Sequence, residues 1–480
     1  MNYSMILYIL GYVLKFEGFF LLLPAAVGLG YGEKVYLHYL ATALLSFLLG
    51  WLFSIKKPEK LLLYPREGFV SVALSWLIMS VIGAIPMTSC KDIPSYIDSL
   101  FETISGFTTT GASICPNVEL LTHATLFWRC FTHWVGGMGV FVFIMAILPM
   151  LGGSNMNLMK AESPGPSVSK LVPHIKDTAK ILYGMYLGLT LVEMLLLIIF
   201  GMPVFDSVVT TFGTVGTGGF GIKADSIAGY SDSLQIIITV FMILSGVNYS
   251  AYYLIICGKL KDALKIEEVR AYLLIVLISS GLISFNIYNM YDHNLGKSLL
   301  DSFFAVGSII TTTGFATADF NLWPAFSKTI LVILMFVGAC AGSTGGGMKV
   351  SRFIILYKTI KKELSLIIHP REVKKVMMDS RAIEHEVVRN TNVYLAMYFI
   401  ILFLSVLLIS IDEFEFTTNF TAVAATLNNI GPGLDMVGPS GNYSSFSVFS
   451  KLVLIFDMLA GRLELYPVMI MLIPATWKKR

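Results

Sequence analysis

The chain has 480 residues, of which 55% are hydrophobic and only 14% are charged, and its mean hydropathy is +0.74. Soluble domains carry about 25% charged residues, so this composition excludes an ordinary soluble protein and predicts an integral membrane protein in contact with the lipid bilayer. The net charge of +3 gives no argument for nucleic-acid binding, and the five cysteines lack the C-x-x-C spacing of a zinc or redox site.

Ten apolar segments are candidates to cross a bilayer, since a membrane helix needs roughly 20 mostly apolar residues. The first segment lacks the basic start and small-residue cleavage site of a signal peptide, so we expect it to be retained. Residues 1–60 therefore supply two leading transmembrane helices. The segments lie near residues 5–30, 36–55, 68–88, 121–150, 179–202, 233–258, 270–290, 325–357, 391–411 and 446–476.

Lysine and arginine residues gather in alternate connections and at the C-terminal end. Basic connections stay in the cytoplasm, so this alternation predicts that both termini are cytoplasmic. The 358–389 connection mixes basic and acidic residues, which is typical of a solvated helical connector; the alternative is a docking surface for a cytosolic partner. The basic connections are residues 56–66, 160–180, 259–270 and 358–389.

Four outer connections share one plan. Each begins with a residue suited to a helix N-cap and continues as a semi-apolar run of about ten residues, too short to span a bilayer. Each ends in a turn centred on a glycine, 12 or 13 residues after the cap, and one spacing found four times indicates an internal repeat. The caps are Asp98, Asp206, Asp301 and Thr418 or Asn419, and the glycines are Gly111, Gly218, Gly314 and Gly431.

This plan suits ion permeation. A helix that enters from outside and stops halfway directs its negative dipole end at the membrane centre. Returning backbone can then offer carbonyl oxygens in place of the water around a potassium ion, with glycine permitting the angles required. We predict an all-α membrane protein with four pseudo-symmetric helix–pore loop–helix repeats around a central ion pore. The predicted repeats are residues 61–155, 156–265, 266–365 with a gating loop, and 366–480 with the cytoplasmic connector.

One of these turns invites another interpretation. The stretch "GTGGFG", residues 216–221, matches the G-x-G-x-x-G pattern of a dinucleotide-binding loop. That fold needs a strand before the glycines and a helix that starts at them. Here a short predicted helix precedes them and "IKADSIAGYSDS" follows, while the sister turns lack the pattern. The sequence therefore argues against a nucleotide site.

A second glycine run, "GACAGSTGGGMKV" at residues 338–350, interrupts a long apolar segment. Each glycine costs a helix about 1 kcal/mol relative to alanine, so a rigid helix is not expected here. The functional interpretation is a flexible intramembrane loop that blocks or opens the path. The alternative is close helix packing through small residues. The candidate gating residues are Gly342, Gly345, Gly346, Gly347 and Lys349.

Two polar residues stand out within apolar segments. His133 is interpreted as a packing residue rather than a ligand. Arg462 is costly in a membrane and such residues usually face a cavity, which favours a fixed cation near the pore that lowers ion occupancy or holds the gating loop. The alternative is a snorkelling arginine paired with Glu464 or Asp457.

The four units, with "TTTGAS", "TGGF" and "TTTGFAT", resemble the pore loops of the Trk/Ktr/HKT superfamily of potassium transporters. The length, the two leading helices and "GRLELYP" (461–467) are most similar to the bacterial Trk membrane subunits. The resemblance implies that carbonyl groups around the turn glycine form a selectivity filter that binds the transported ion. The implied residues are Thr109, Thr110 and Gly111; Gly216, Thr217 and Gly218; Thr312, Thr313 and Gly314; and Asn429, Ile430 and Gly431.

A glycine in all four units is the family pattern associated with potassium rather than sodium, although the fourth loop, "NNIGPG", departs from the threonine pattern. The expected function is potassium uptake driven by the membrane potential, without enzymatic chemistry or a cofactor. The alternative is a sodium-selective or sodium-coupled transporter of the same fold, so symport stays open. The resemblance also implies a homodimer in the bacterial inner membrane, regulated by a cytosolic nucleotide-binding ring.

Overall fold

The computed structural model describes residues 1–58, 64–137, 139 and 175–478. These residues are mostly helical, and one antiparallel hairpin pairs Met377 with Ala382 and Met378 with Arg381. The end of the fourth predicted span, residues 140–150, lies outside the described residues, as do Lys160 and Lys170 in the second basic connection.

The first half of the chain contains ten described helices. They are α1 Tyr3–Gly30, α2 Tyr36–Ser54, α3 Pro65–Gly83, α4 Ile85–Ser89, α5 Tyr96–Phe107, α6 His123–Gly137, α7 Ile175–Ile199, α8 Val204–Val215, α9 Asp232–Ser245 and α10 Tyr249–Ile256.

Among the described residues, the second half adds nine α-helices and the hairpin. They are α11 Leu260–Lys265, α12 Glu267–Ile287, α13 Leu295–Ile310, α14 Ala325–Val337, α15 Val350–Ile368, β1 Met377–Met378, β2 Arg381–Ala382, α16 His385–Ile409, α17 Phe416–Leu427, α18 Val448–Arg462 and α19 Tyr466–Leu472.

Six helical segments among the described residues are long and apolar enough to cross a membrane, and a seventh is the bent pair α9–α10. Exposed leucine and phenylalanine side chains on α2, α12 and α16, such as Leu44, Phe285 and Leu407, suit contact with lipid tails. The leading pair α1–α2 packs closely because Gly11 and Gly50 face each other's backbone, where a Cβ atom would lie within 3.0 Å of a carbonyl oxygen.

Three predicted spans are broken in the structure. Helices α9 and α10 meet at an angle of 97°, because Gly246 ends α9 and the Asn248 side chain caps α10. Helix α14 ends at Gly338, with φ of +71°, and α15 begins only at Val350. Helices α18 and α19 are separated by residues 463–465. The sequence predicted only the glycine-rich break.

The four predicted short helices exist, as α5, α8, α13 and α17, here called the loop helices. The predicted caps are wrong, because each helix starts earlier than its polar residue. Asp98, Asp206 and Thr418 occupy the third position of their helices, and Asp301 lies further inside α13. Acidic groups in the first turn still suit the positive end of the helix dipole. The observed caps are Ser95, Pro203, Asn294 and Glu415.

Candidate functional site

Each loop helix is followed by a six-residue loop, and the four loops have the same backbone conformation. They are loop 1 (108–113), loop 2 (216–221), loop 3 (311–316) and loop 4 (428–433). The second residue has a positive φ between 54° and 61°, and the glycine two positions later has a φ between 77° and 93°. Threonine is uncommon in this left-handed region, so its presence there three times marks a constrained site. The four residues are Thr109, Thr217, Thr312 and Asn429.

Hydrogen bonds repeat with the same regularity. The third residue of each loop donates its backbone N–H, at 2.8 Å, to the carbonyl five residues earlier, in the last turns of the loop helix. This closes each helix in the manner of a Schellman cap. The donor–acceptor pairs are Thr110–Ser105, Gly218–Gly213, Thr313–Ser308 and Ile430–Ala425.

This repetition corrects the register of the second loop. The residue equivalent to Gly111 is Gly219, which has a φ of +80°, rather than Gly218. The equivalent triplet is thus Thr217, Gly218 and Gly219, and Gly216 ends the helix as its C-cap. In every loop the glycine with positive φ lies four residues after the last residue of the loop helix. The sequence alone cannot decide between Gly218 and Gly219, because the two glycines are adjacent.

The four loops meet in a closed ring. A Cβ atom added to the fourth-position glycine of any loop would lie within 3.0 Å of a carbonyl oxygen in the next loop. Real Cβ atoms essentially never approach that closely, so only glycine fits at these positions. The contacts run from Gly111 to Gly218, from Gly219 to Thr313, from Gly314 to Ile430 and from Gly431 back to Thr110.

The ring is buried and rich in main-chain oxygen. The side chains of all the threonines and of Asn429 and Ile430 in the predicted site are fully buried. Loop 4 keeps the common backbone despite its different sequence, and the Asn429 amide donates to Thr110 Oγ1 at 3.0 Å and to the Met458 carbonyl at 2.9 Å. The structure therefore brings together all twelve predicted residues except Gly216, which lies one step before the ring.

His133, which the sequence pattern predicts to be a packing residue, lies at the site. Its Nε2 accepts from the backbone N–H of Phe220 at 3.1 Å, so its Nδ1 donates to the Gly106 carbonyl at 2.8 Å. The imidazole thus joins the end of loop helix α5 to loop 2. A Cβ atom on Gly218 would overlap the ring. Nothing in the sequence distinguishes this histidine from a packing residue, because its two partners are distant in the chain.

Residues 338–349 lie directly against loops 3 and 4. The Gly346 N–H donates to Thr312 Oγ1 at 2.6 Å. A Cβ atom on Gly346 would lie 2.6 Å from the Asn428 carbonyl oxygen, and one on Gly345 would lie 2.9 Å from that of Thr311. The segment is therefore non-helical and also packs closely against loops 3 and 4. Only glycine at positions 345 and 346 allows the two backbones to come this close.

Three charged residues hold this segment. Arg462 donates to the Thr344 carbonyl at 2.9 Å and to the Gly136 carbonyl at 2.7 Å. Buried Lys349 donates to the Gly345 carbonyl. The Glu268 carboxylate, which the sequence analysis missed, accepts from the N–H groups of Ala341 at 2.7 Å and Ser351 at 3.1 Å.

The alternative partners proposed for Arg462 are engaged elsewhere. Glu464 pairs with Arg352 on α15, and Asp457 accepts from the Ser405 hydroxyl at 2.7 Å. Arg352 also stacks over the Tyr394 ring at 3.9 Å. The pairing of Arg462 with either acid is therefore wrong as a description of its hydrogen bonds, which go to the backbone carbonyls of Thr344 and Gly136.

Comparison with known proteins agrees with this geometry. Residues 36–479 match the family model described as TrkH, cation transport protein. The chain is 36% identical over 480 residues to the Trk system potassium uptake protein TrkH of Salmonella typhimurium, and 35% identical to that of Escherichia coli K12, with 97% of each chain covered in both cases.

Among solved structures, the crystal structure of the potassium transporter TrkH from Vibrio parahaemolyticus matches over 100% of both chains, with a TM-score of 0.89 and 31% sequence identity. These relatives are transporters rather than enzymes. The match covers the leading helices and all four loops. The chain therefore belongs to the TrkH family of cation transport proteins.

Proposed function

We propose that this protein takes up potassium through the ring of loops 1–4, with main-chain oxygens replacing the hydration shell of the ion. The observation that supports this most is the cyclic approach of the four loops, in which each glycine borders a carbonyl of the next loop. Irregular backbone at membrane depth is tolerated where it lines a water-filled path. The potassium uptake named for the relatives agrees with this role.

Potassium binds as the transported ion at the carbonyl groups of the predicted residues. In loop 2 the set is Thr217, Gly218 and Gly219, because Gly219 takes the place of Gly216. Rings of carbonyl oxygens are the usual means of selecting potassium. The membrane potential drives uptake, since one elementary charge moving across 100 mV gains about 2.3 kcal/mol. The four loops belong to four repeats, and residues 1–60 form two additional helices.

We further propose that residues 338–349 are the gate. Their contacts with Thr312 and the Asn428 carbonyl, at the N-terminal ends of loops 3 and 4, support this. Arg462 fixes the segment by its bond to Thr344. Opening requires the loss of these hydrogen bonds, and Lys349 moves with the segment because it bonds Gly345 within it.

The proposed setting is the inner membrane of a bacterium, with both termini in the cytoplasm and two copies forming a homodimer. A cytosolic nucleotide-binding ring regulates opening. The support is that the relatives are named as Trk system proteins, and that the 358–389 connector carries many charged side chains. Crosslinking and mass measurement of the detergent-solubilised protein test the dimer.

The central test is rescue of a potassium-uptake-deficient bacterium by the parent, Gly111→Ser and Gly314→Ser. The parent should restore growth at low potassium, and both variants should lose rescue or potassium preference, because a side chain at either site displaces a neighbouring carbonyl. Gly281→Ala is the control, since Gly281 has open space around it. Unchanged rescue and ion preference in both variants would refute the filter assignment, and a parent that prefers sodium would favour the alternative transporter.

A further inference from the structure

A buried ion pair lies behind loop 1. Glu102 on α5 and Arg129 on α6 are 1% and 2% exposed. Glu102 Oε1 accepts from Arg129 Nε at 2.7 Å and lies 2.6 Å from its Nη2. Both contacts go to the same carboxylate oxygen, and hydrogen bonds between ionised groups of this kind are short and strong. Helix α5 and helix α6 are thereby joined by a buried ion pair.

The pair also holds the chain that leaves loop 1. Glu102 Oε2 accepts from the backbone N–H of Ile114 at 2.8 Å, and Oε1 accepts from the Ser113 hydroxyl at 3.0 Å. Arg129 Nη2 lies 3.3 Å from the same hydroxyl. Ser113 is only two residues beyond Gly111, so the carboxylate fixes the backbone next to the ring.

Arg129 reaches loop 2 as well. Its Nη1 donates to the Gly221 carbonyl at 3.4 Å, and its guanidinium carbon lies 4.3 Å from the centre of the Phe220 ring. Gly221 is two residues beyond Gly219, so it corresponds to Ser113. The same ion pair therefore contacts equivalent positions in two adjacent loops.

The other loops are supported differently. Nine residues before the loop glycine, where α5 has Glu102, the other loop helices carry Thr210, Ala305 and Ala422. Loop 3 is held by the Ser308 hydroxyl, which donates to the Phe315 carbonyl at 2.6 Å. Loop 4 is held by Thr421 Oγ1, which accepts from the Leu434 N–H at 2.9 Å. Both of these contacts join neutral groups within one repeat. Loops 3 and 4 also contact other repeats, from the Ala316 N–H to the Ser226 hydroxyl and from the Asn429 amide to Thr110, and these contacts are between neutral groups as well.

We propose that Glu102 and Arg129 are positioning residues that set the discrimination between potassium and sodium, by holding loops 1 and 2 at a fixed separation. This rests on the proposed filter function. Sodium is the smaller ion, so the ring must not contract to bind it as well as potassium. Charged groups buried and hydrogen-bonded on every side resist such movement, whereas stability alone does not require them, because a buried ion pair is often no more stabilising than apolar packing.

The test measures the potassium-to-sodium permeability ratio of the purified, reconstituted full-length chain from its reversal potential. Glu102→Gln keeps the size of the side chain and removes its charge. The double variant Glu102→Gln with Arg129→Gln removes both charges without leaving one unpaired. Both should lower the permeability ratio by about tenfold, as expected when the oxygens of a filter lose their fixed spacing.

The matched control is Asp98→Asn. Asp98 lies at the outer end of the same helix and pairs with largely buried Lys451 at 2.8 Å. A role limited to stability predicts that Asp98→Asn and Glu102→Gln both lower the thermal midpoint and leave the permeability ratio unchanged. That result would overturn the proposal. Lower selectivity in the Glu102 variants, with parental selectivity in Asp98→Asn, would support it.

A variant that keeps both charges tests the positioning role if the charge variants do not fold. Ser113→Ala removes the hydroxyl that joins the pair to loop 1 and leaves the ion pair itself intact. It should lower the permeability ratio by about twofold to threefold, a loss in keeping with one hydrogen bond. An unchanged ratio in folded Ser113→Ala would reject the proposal.

Gly111→Ser, measured alongside, separates this proposal from the filter assignment. If Gly111→Ser alters selectivity while folded Glu102→Gln and Ser113→Ala do not, only the positioning role fails. If neither Gly111→Ser nor the pair variants alter selectivity, the filter assignment fails as well.

Discussion

The two halves of the loop ring, loops 1 and 2 and loops 3 and 4, have the same backbone conformation and differ in the residues that surround them. Loops 1 and 2 are contacted by three buried side chains, those of Glu102, Arg129 and His133. Arg129 donates to Glu102, and His133 joins the end of α5 to loop 2. Loops 3 and 4 are contacted by residues 338–349, through glycines that add no side chain of their own. One half is fixed by charged and aromatic groups, and the other borders a segment that a few hydrogen bonds retain. Substitutions in the two halves should therefore have opposite effects on flux.

The largest loss of transport is expected at the contact between the two halves, where Gly219 of loop 2 meets the Thr313 carbonyl of loop 3. Gly219→Ala forces a Cβ atom against the Thr313 carbonyl and strains a residue with φ of +80°. Potassium uptake should fall by at least about 100-fold, because glycine alone tolerates that backbone. Radioactive rubidium uptake in cells measures this, with Gly281→Ala as control. Parental uptake in Gly219→Ala would show that the register of loop 2 is misassigned.

In the fixed half, His133→Ala should impair both folding and transport. It leaves the Phe220 N–H without its partner, at a cost of about 1–3 kcal/mol for that buried group, and removes one of two donors to the Gly106 carbonyl, which keeps the Thr109 N–H. We expect a lower thermal midpoint and roughly a tenfold loss of potassium uptake. His133→Gln, which can still donate and accept, should be intermediate. Equal behaviour of the parent and His133→Ala would contradict this.

In the gate half, Arg462→Gln should increase flux. The shorter side chain cannot bond the Thr344 and Gly136 carbonyls together, so residues 338–349 lose one of the contacts that hold them and open more readily. Rubidium influx into proteoliposomes that contain the chain alone should rise about fivefold, a change equivalent to one net hydrogen bond. A folded variant with reduced influx would mean that Arg462 assists permeation rather than retaining the gate.

The smallest effect is expected from Thr312→Val. This nearly isosteric change removes the hydroxyl that accepts from the Gly346 N–H and leaves the carbonyls of loop 3 in place. Influx should rise about twofold, within the range of a single hydrogen bond. The potassium-to-sodium permeability ratio should stay at the parental value, and a changed ratio would indicate that the side chain acts on the ring itself.

The sequence predicted those parts of the site whose backbone conformation depends on residues close together in the chain. Glycines 111, 314 and 431 were found because a turn with positive φ needs glycine and recurs at one spacing. The break at residues 338–349 was found because glycines weaken a helix. The family assignment followed from these loops and is confirmed by the match over residues 36–479.

Other parts depend on distant contacts and were missed or misplaced. The register of loop 2 required the helix end at Val215, which the sequence does not mark. Glu268, Arg129 and His133 each bond backbone groups far along the chain. The predicted caps failed because an acidic residue suits the first turn of a helix as well as its cap.

The ring is assembled from four unlike stretches of a single polypeptide. In an assembly of identical subunits, one amino-acid change alters every position around the axis at once. Here a substitution at Thr217 changes the residue in one quadrant only, and the other three quadrants keep their own residues. The side chains that support the ring can therefore differ from one quadrant to the next, as Asn429 differs from the threonine at the equivalent position of the other three loops.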